Sequence, residues 1–285
     1  MYEIRRRKRA VFSSSCGKIA ICKCTRQDIQ TAVAFLCTRV RDPESDDYKK
    51  VTKVMHYIQN TRSITLTIEP TDEPKWWVDS SNAVHPDMKS HTCMYMMLRK
   101  GATYTGSYKQ KLNTKSSTEA KLVAVDDAMG QVLWTRHSLS AQGVHVPTTT
   151  IYQDNMSTIL LAENGRSSSS KRTRHINVRY YFVTDQIKIG QVKVAYCPTG
   201  NMLGDFFTKP LQGSTFRNMH KVILNMPDVE NTNTAHRSVL GNDTKTISTA
   251  VSTRQSGKQK VNENADKAPA WKDRTDICSN RNEQK

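Results

Sequence analysis

The sequence lacks any apolar run near the roughly 18 residues that a membrane-spanning helix requires, so no membrane partner or span is expected. It also lacks a secretory pattern, because Arg5-Arg6-Arg7-Lys8-Arg9 leads into Ser-rich sequence with no apolar segment behind it. Cysteine is scarce and odd in number: seven residues at irregular spacing argue for reduced thiols and an intracellular setting, cytoplasmic, nuclear or both. Cys16, Cys22 and Cys24 lie close together, yet no second Cys or His pair nearby completes a zinc site. Internal repeats and heptads are missing too. Acidic residues are in deficit, with 26 Asp and Glu against 43 Lys and Arg, a net charge of +17.

That positive charge is spread over the chain. Residues 228–285 carry ten basic and eight acidic groups, so only +2 belongs to them. Residues 1–27 carry +7, and +8 falls on residues 28–227. A basic folded part fits a polyanionic partner, nucleic acid ahead of a membrane surface, although solubility alone also accounts for charge. The last stretch is rich in Asn, Thr, Ser and Lys with isolated apolar residues, and reads as a disordered polar tail. The expected organisation is a basic irregular arm over 1–27, a helical segment over 28–70, a larger domain over 71–227 and the tail.

Hydrophobic spacing gives the elements. Ile29, Val33, Leu36 and Val40 recur at helical intervals, as do Tyr48, Val51, Met55 and Ile58. Residues 76–80, 92–99 and 102–109 read as three successive strands, with Lys100-Gly101 as a tight turn. A long helix from about Ser117 carries Leu122, Val125, Met129 and Leu133 on one stripe. A fourth strand at 149–153, a short helix from Met156, a helix over 174–187 and a fifth strand at 191–197 follow. This order predicts an α/β fold: a mixed five-stranded sheet with flanking helices.

Four carboxylates lie where strands end or helices begin: Asp79, Glu119, Asp154 and Asp205. Each has a structural explanation. Asp79 could face water from an edge strand, Glu119 fits a capping box in Ser116-Ser117-Thr118-Glu119, Asp154 could cap a helix, and Asp205 could occupy a surface turn. Taken together they change meaning, because in a sheet of this order they can converge at one end, where their mutual repulsion calls for a cation. Magnesium, a hard ion that takes oxygen ligands, suits them. Two such ions about 3.5–4 Å apart activate a water and stabilise the leaving oxygen in displacement at phosphorus.

Four motifs in order carry a resemblance: Lys115-Ser116-Ser117-Thr118-Glu119-Ala120, Ile151-Tyr152-Gln153-Asp154-Asn155, Lys171-Arg172-Thr173-Arg174-His175-Ile176 with Arg179-Tyr180, and Gly204-Asp205-Phe206-Phe207-Thr208-Lys209-Pro210-Leu211. Over residues 75–226 the chain resembles the ribonuclease H domain of copia-type LTR retrotransposon polyproteins. Residues 28–62 resemble, more weakly, the helical end of the reverse transcriptase that precedes it. The resemblance implies a ribonuclease H-like sheet and Asp79, Glu119, Asp154 and Asp205 as a metal-binding catalytic quartet. It implies two Mg2+ ions, with Mn2+ as substitute, and hydrolysis of the RNA strand of an RNA–DNA hybrid to leave a 3′-hydroxyl and a 5′-phosphate. The alternative is a non-catalytic nucleic-acid-binding remnant of a degenerate element.

Lys171, Arg172, Arg174, His175 and Arg179 place five basic groups in nine residues and read as a phosphate-gripping surface, as against a solvated helix face. Lys209 would contact a scissile-strand phosphate or screen Asp205. The polymerase's own aspartates are absent: Asp46-Asp47 and Asp126-Asp127 lie in helical sequence, so polymerase activity is not expected from this chain alone, and a polymerase subunit in trans is a candidate partner. Many ribonucleases H place a histidine shortly before the fourth carboxylate, but Pro198-Thr199-Gly200-Asn201-Met202-Leu203 has none. Cys93 stands where the family usually has glycine, which predicts local strain if the backbone there needs positive φ. His85 and His91 read as structural or surface residues.

Overall fold

In the computed structural model of the protein, which describes residues 2–23, 25–69, 73–165 and 177–227, the centre of the fold is strand β1 (Lys75–Ser81). It pairs antiparallel with β2 (His91–Met97) on one side and parallel with β4 (Thr149–Gln153) on the other. The edges are β3 (Tyr104–Lys109), antiparallel to β2, and β5 (Val192–Tyr196), parallel to β4. The resulting order, β3-β2-β1-β4-β5, is the mixed five-stranded sheet with flanking helices expected from the sequence. All seven residues of β2 are buried because both faces of the sheet are covered.

Period-two alternation decides what covers each face. Trp76, Val78, Met94, Met96, Ile151, Val192 and Val194 turn to one side. There they meet α4 (Ser117–Ala141), α5 (Met156–Asn164) and α6 (Asn177–Lys188). Ala124, Ala128, Met129 and Val132 of α4 are fully buried against them. On the opposite side Trp77, Cys93, Tyr95 and Met97 pack with Phe206 and Phe207 of the short helix α7 (Asp205–Thr208) and with Ile223 and Leu224 of α8 (Gly213–Leu224). The tight turn before β3 is as expected: Gly101 has φ 75°, and a Cβ there would sit 2.2 Å from the Thr67 carbonyl oxygen, so only glycine fits.

Residues 1–27 differ from the irregular arm expected. Residues Tyr2–Cys22 form a helix, α1, which packs against α2 (Gln30–Thr38) and α3 (Ser45–Asn60). Among its described side chains the buried ones are Phe12, Cys16 and Ile19, an i, i+4, i+7 stripe in which a cysteine acts as a small hydrophobe. The basic cluster Arg5-Arg6-Arg7-Lys8-Arg9 precedes that stripe and masks its period. On α3, Tyr48, Val51 and Ile58 of the expected stripe pack inward, but Met55 is 51% exposed and Val54 and Tyr57 pack inward instead. Asp47 serves as the N3 residue of a capping box with Glu44, which explains Asp46-Asp47 without catalysis.

The helical segment is tied to the sheet by polar bonds. Gln27 and Gln30 donate through Nε2 to the carbonyls of Ala102 (3.1 Å) and Thr105 (3.0 Å), and Thr31 Oγ1 donates to the carbonyl of Phe206 (3.1 Å). Phe35 stacks on His85 and His91, with ring centroids 4.9 and 4.5 Å apart. Residues 1–227 accordingly form one compact unit. Among the described residues no helix is long and apolar enough to cross a membrane. The stretch 228–285, expected as a tail, lies outside the described residues.

Candidate active site

Asp79 and Asp154 are brought together by strand pairing. Trp77 of β1 sits opposite Tyr152 of the parallel strand β4, and each carboxylate lies two residues further along its own strand. Gln153 Nε2 donates to the Val78 carbonyl at 3.1 Å and extends the pairing to that end. Asp79 is 1% exposed, so an ionised carboxylate there demands compensation. It receives two partners: Lys121 Nζ donates to Oδ1 at 2.5 Å, and Thr208 Oγ1 donates to Oδ2 at 2.8 Å.

Lys121 is the residue that sequence reasoning did not single out. It leaves the first turns of α4 and reaches between the strand ends, with Nζ 2.5 Å from Asp79 Oδ1 and 2.6 Å from Asp154 Oδ1. Burial by itself lowers the tendency of this amine to stay charged, but the adjoining Asp79 and Asp154 override it and its pKa is raised. The ammonium is therefore a fixed positive charge between two of the four carboxylates. A signal was present: Lys121 interrupts Ala120-Lys121-Leu122-Val123, whose apolar members are all buried, and a cation there needs an anionic partner.

Asp154 does not cap α5. That role falls to Asn155, whose Oδ1 accepts the Thr158 N–H at 3.1 Å. Glu119 does take part in capping: its N–H donates to Ser116 Oγ at 3.2 Å, while its Oε2 accepts the Lys115 N–H at 2.7 Å. The box reaches one residue further back than expected. The α4 start also lies beside the α5 start, where Thr158 Oγ1 donates to the Thr118 carbonyl at 3.4 Å.

Asp205 is the first residue of α7 and is 6% exposed, which excludes a surface turn. Lys209, one helical turn on, pairs with its Oδ2 at 2.7 Å and so screens the carboxylate. Burial, only partly opposed by Lys209 and reinforced by the nearby Asp79, pushes the Asp205 pKa up to about 6. Among the described residues its buried Oδ1 has no hydrogen-bond partner, and a proton or a cation would satisfy this acceptor. With an all-oxygen donor set and one orphaned buried acceptor, these side chains fit a hard divalent ion. Among the described residues, however, no three His, Cys, Asp or Glu side chains are already grouped closely enough to hold one.

The backbone below the site is tightly fitted. Cys93, opposite Asp79 in the β1–β2 register, donates its thiol to the Gly204 carbonyl at 2.9 Å. It is not among the positive-φ residues, so the expected strain does not arise: cysteine is accommodated in ordinary strand geometry. Burial and the neighbouring Asp79 push this thiol well above its ordinary pKa, which keeps it protonated. A Cβ on Gly204 would lie 3.0 Å from Asp79 Cβ, 3.3 Å from Met202 Cε and 3.4 Å from Cys93 Sγ. Gly204→Ala is expected to cost about 1–3 kcal/mol by overpacking, read as a lower midpoint in urea unfolding.

Lys171, Arg172, Arg174 and His175 lie outside the described residues, as does the side chain of Arg179, whose backbone belongs to α6. His85 and His91 are buried and structural. His85 Nε2 meets His91 Nδ1 at 3.1 Å, and His91 Nε2 meets Ser107 Oγ at 2.8 Å.

No protein-family model matches the chain. The chain is 26% identical over 208 residues to the retrovirus-related Pol polyprotein from transposon TNT 1-94 of Nicotiana tabacum, covering 72% of this chain and 16% of that protein. It is 27% identical over 218 residues to the corresponding polyprotein from transposon RE2 of Arabidopsis thaliana, covering 73% of this chain and 14% of that protein. It thus spans a small fraction of the length of these relatives. Among solved structures, LC11-RNase H1, isolated from compost by a metagenomic approach, overlaps at a TM-score of 0.38 and 9% identity, covering 48% of this chain and 93% of that one. RNase H1 from Halobacterium salinarum overlaps at 0.33 and 10% identity, covering 46% and 90%. The fold is read from the strand order rather than from these overlaps, whereas kinship is read from the sequence: the chain is a relative of the Pol polyproteins of copia-type plant transposons.

Proposed function

We propose that this chain is the ribonuclease H part of a retrotransposon polyprotein, a metal-dependent endonuclease that hydrolyses the RNA strand of RNA–DNA hybrids. The observation that supports the proposal is the pairing of Asp79 and Asp154 across Lys121 at one end of the β1–β4 parallel pair, with Thr208 bonding both Asp79 and the Asp205 carbonyl, in a chain related to transposon Pol polyproteins. In this reading residues 71–227 are the nuclease and 28–70 are the end of the preceding reverse transcriptase.

Asp79, Glu119, Asp154 and Asp205 would hold Mg2+, or Mn2+ in its place. When bound, such ions supply an activated water and a counter-charge for the leaving oxygen. The protein's own groups set the stage for this. Thr208 orients Asp79, the Asn155 cap holds the chain where Asp154 emerges, the Lys115 N–H orients Glu119, and Lys209 neutralises Asp205. Lys171, Arg172, Arg174, His175, Arg179 and Lys209 would grip the hybrid backbone, so affinity falls steeply as salt rises.

Incubation of the full chain with an RNA–DNA hybrid in Mg2+ or Mn2+ is expected to yield RNA fragments ending in 3′-hydroxyls, and chelator to stop the reaction. Asp154→Asn should reduce the rate by about 100-fold or more, the usual scale for loss of one group that stabilises transition-state charge. Undiminished cleavage by that variant would remove Asp154 from the site. The position of Lys121 between Asp79 and Asp154 favours a second reading, a non-catalytic hybrid-binding remnant. Hybrid binding without cleavage at saturating Mn2+ would select it.

A further inference from the structure

The site contains a cation supplied by the chain itself. Lys121 Nζ lies 2.5 Å from Asp79 Oδ1 and 2.6 Å from Asp154 Oδ1, and its side chain is only 11% exposed. A divalent ion bound by the same two oxygens would need to stand about 2.0–2.1 Å from each if it were Mg2+. An ammonium and a metal ion cannot both occupy that space, and their like charges repel in a poorly solvated site. The bridge also has a structural task. Among the described residues, Asp79 without Lys121 would keep the Thr208 hydroxyl as its side-chain hydrogen-bond donor, at 1% exposure.

We infer that Lys121 is a built-in competitor of the metal: its ammonium neutralises the Asp79–Asp154 pair in the resting protein, and a divalent ion reaches that pair only by displacing it. This inference rests on the proposed function for the identity of the ion, and on the observed bridge for the competition. It makes Lys121 a specificity-determining residue for metal loading. The chain folds around the site without metal, and requires a higher metal concentration than the same carboxylates would need unopposed.

The test is Mn2+ binding to the full chain, followed by the electron paramagnetic resonance of free Mn2+, for the parent, Lys121→Met and Lys121→Arg. Lys121→Met is expected to bind Mn2+ about tenfold tighter or more, and Lys121→Arg to bind as weakly as the parent. A gain under about twofold in Lys121→Met, or micromolar Mn2+ binding by the parent chain, would overturn the inference. If Lys121→Met does not fold alone, Mn2+ should restore its thermal transition, and failure of millimolar Mn2+ to do so also counts against the competition. Hybrid cleavage is scored separately. Tighter Mn2+ binding with no cleavage in either chain would sink the nuclease reading and leave the role of Lys121 standing.

Discussion

Replacing Asp28 with alanine is expected to destabilise the folded chain by about 3–5 kcal/mol, the range for removing one partner of a buried ion pair. Asp28 is a hub between the N-terminal helices and the sheet domain. Its carboxylate accepts from Arg26 Nε (3.0 Å) and Nη2 (2.7 Å) and from the Tyr57 hydroxyl (2.7 Å), and it lies 3.3 Å from His220 Nε2 on α8. Burial would raise its pKa, but the His220, Arg26 and Tyr57 hydrogen bonds outweigh that and hold it well below the usual carboxylate range. Alanine leaves those donors without their shared acceptor. Among the described residues, Arg26 keeps its bonds to the carbonyl and hydroxyl of Thr61 and its place over the Tyr57 ring.

Linkage gives this contribution a sign. Because the folded pKa is depressed, the stabilisation is present above the unfolded value of 3.8 and is lost as pH falls through the folded one. At pH 7 the full deficit of Asp28→Ala should therefore appear in urea unfolding, while Asp28→Asn, which keeps one acceptor oxygen, should lose less. A loss under about 1 kcal/mol in the alanine variant would mean that the hub is solvated and that the helical segment is only loosely held.

Acid should weaken the fold through His91, and the effect should be clearest in an Asp205→Asn background. His91 is fully buried beneath Phe35, between His85 and Ser107, and burial, with His85 adding, pushes its pKa down to about 3. The unfolded chain takes up a proton near pH 6.5 that the folded chain refuses. Stability is therefore full above 6.5 and falls as pH drops toward 3, by up to about 1.4 kcal/mol per pH unit. His85, whose pKa is also lowered chiefly by burial, acts in the same direction.

Asp205 acts in the opposite sense. Its folded pKa of about 6 lies above the unfolded 3.8, so its contribution is present below 3.8 and lost as pH rises through 6. Between these values the two trends offset each other, and the parent chain should show a shallow profile. Removing the Asp205 titration exposes a slope of about 1.4 kcal/mol per unit or more between pH 6.5 and 4.5. Adding His91→Gln should flatten it. A slope that survives His91→Gln unchanged would assign the acid sensitivity elsewhere.

The sheet was legible because its signals are local. Each of the five strands lies within two or three residues of the span that alternation and turn residues predict, and α4 begins at Ser117 as its capping sequence requires. Helix α1 was not legible. Its buried stripe of three residues includes a cysteine, and its composition is dominated by charge. The Met55 position failed for a related reason: on α3, Val54 and Tyr57 compete with Met55 for the inward face, and contact with α1 and α2 decides between them.

At the candidate site the division is sharper. The motifs around Asp79, Glu119, Asp154 and Asp205 and their order along the chain sufficed to nominate them together, although each taken alone has a structural explanation. Their kinship to transposon Pol polyproteins also lies in the sequence alone. What neutralises them does not. Lys121 belongs to a helix 42 residues from Asp79 and 33 from Asp154 in sequence, and only the packing of α4 across the parallel strand ends brings its ammonium between them. Asp28 likewise meets His220 across 192 residues. Charge compensation depends on distances of a few ångströms between groups far apart in the chain, and only the tertiary structure sets those distances.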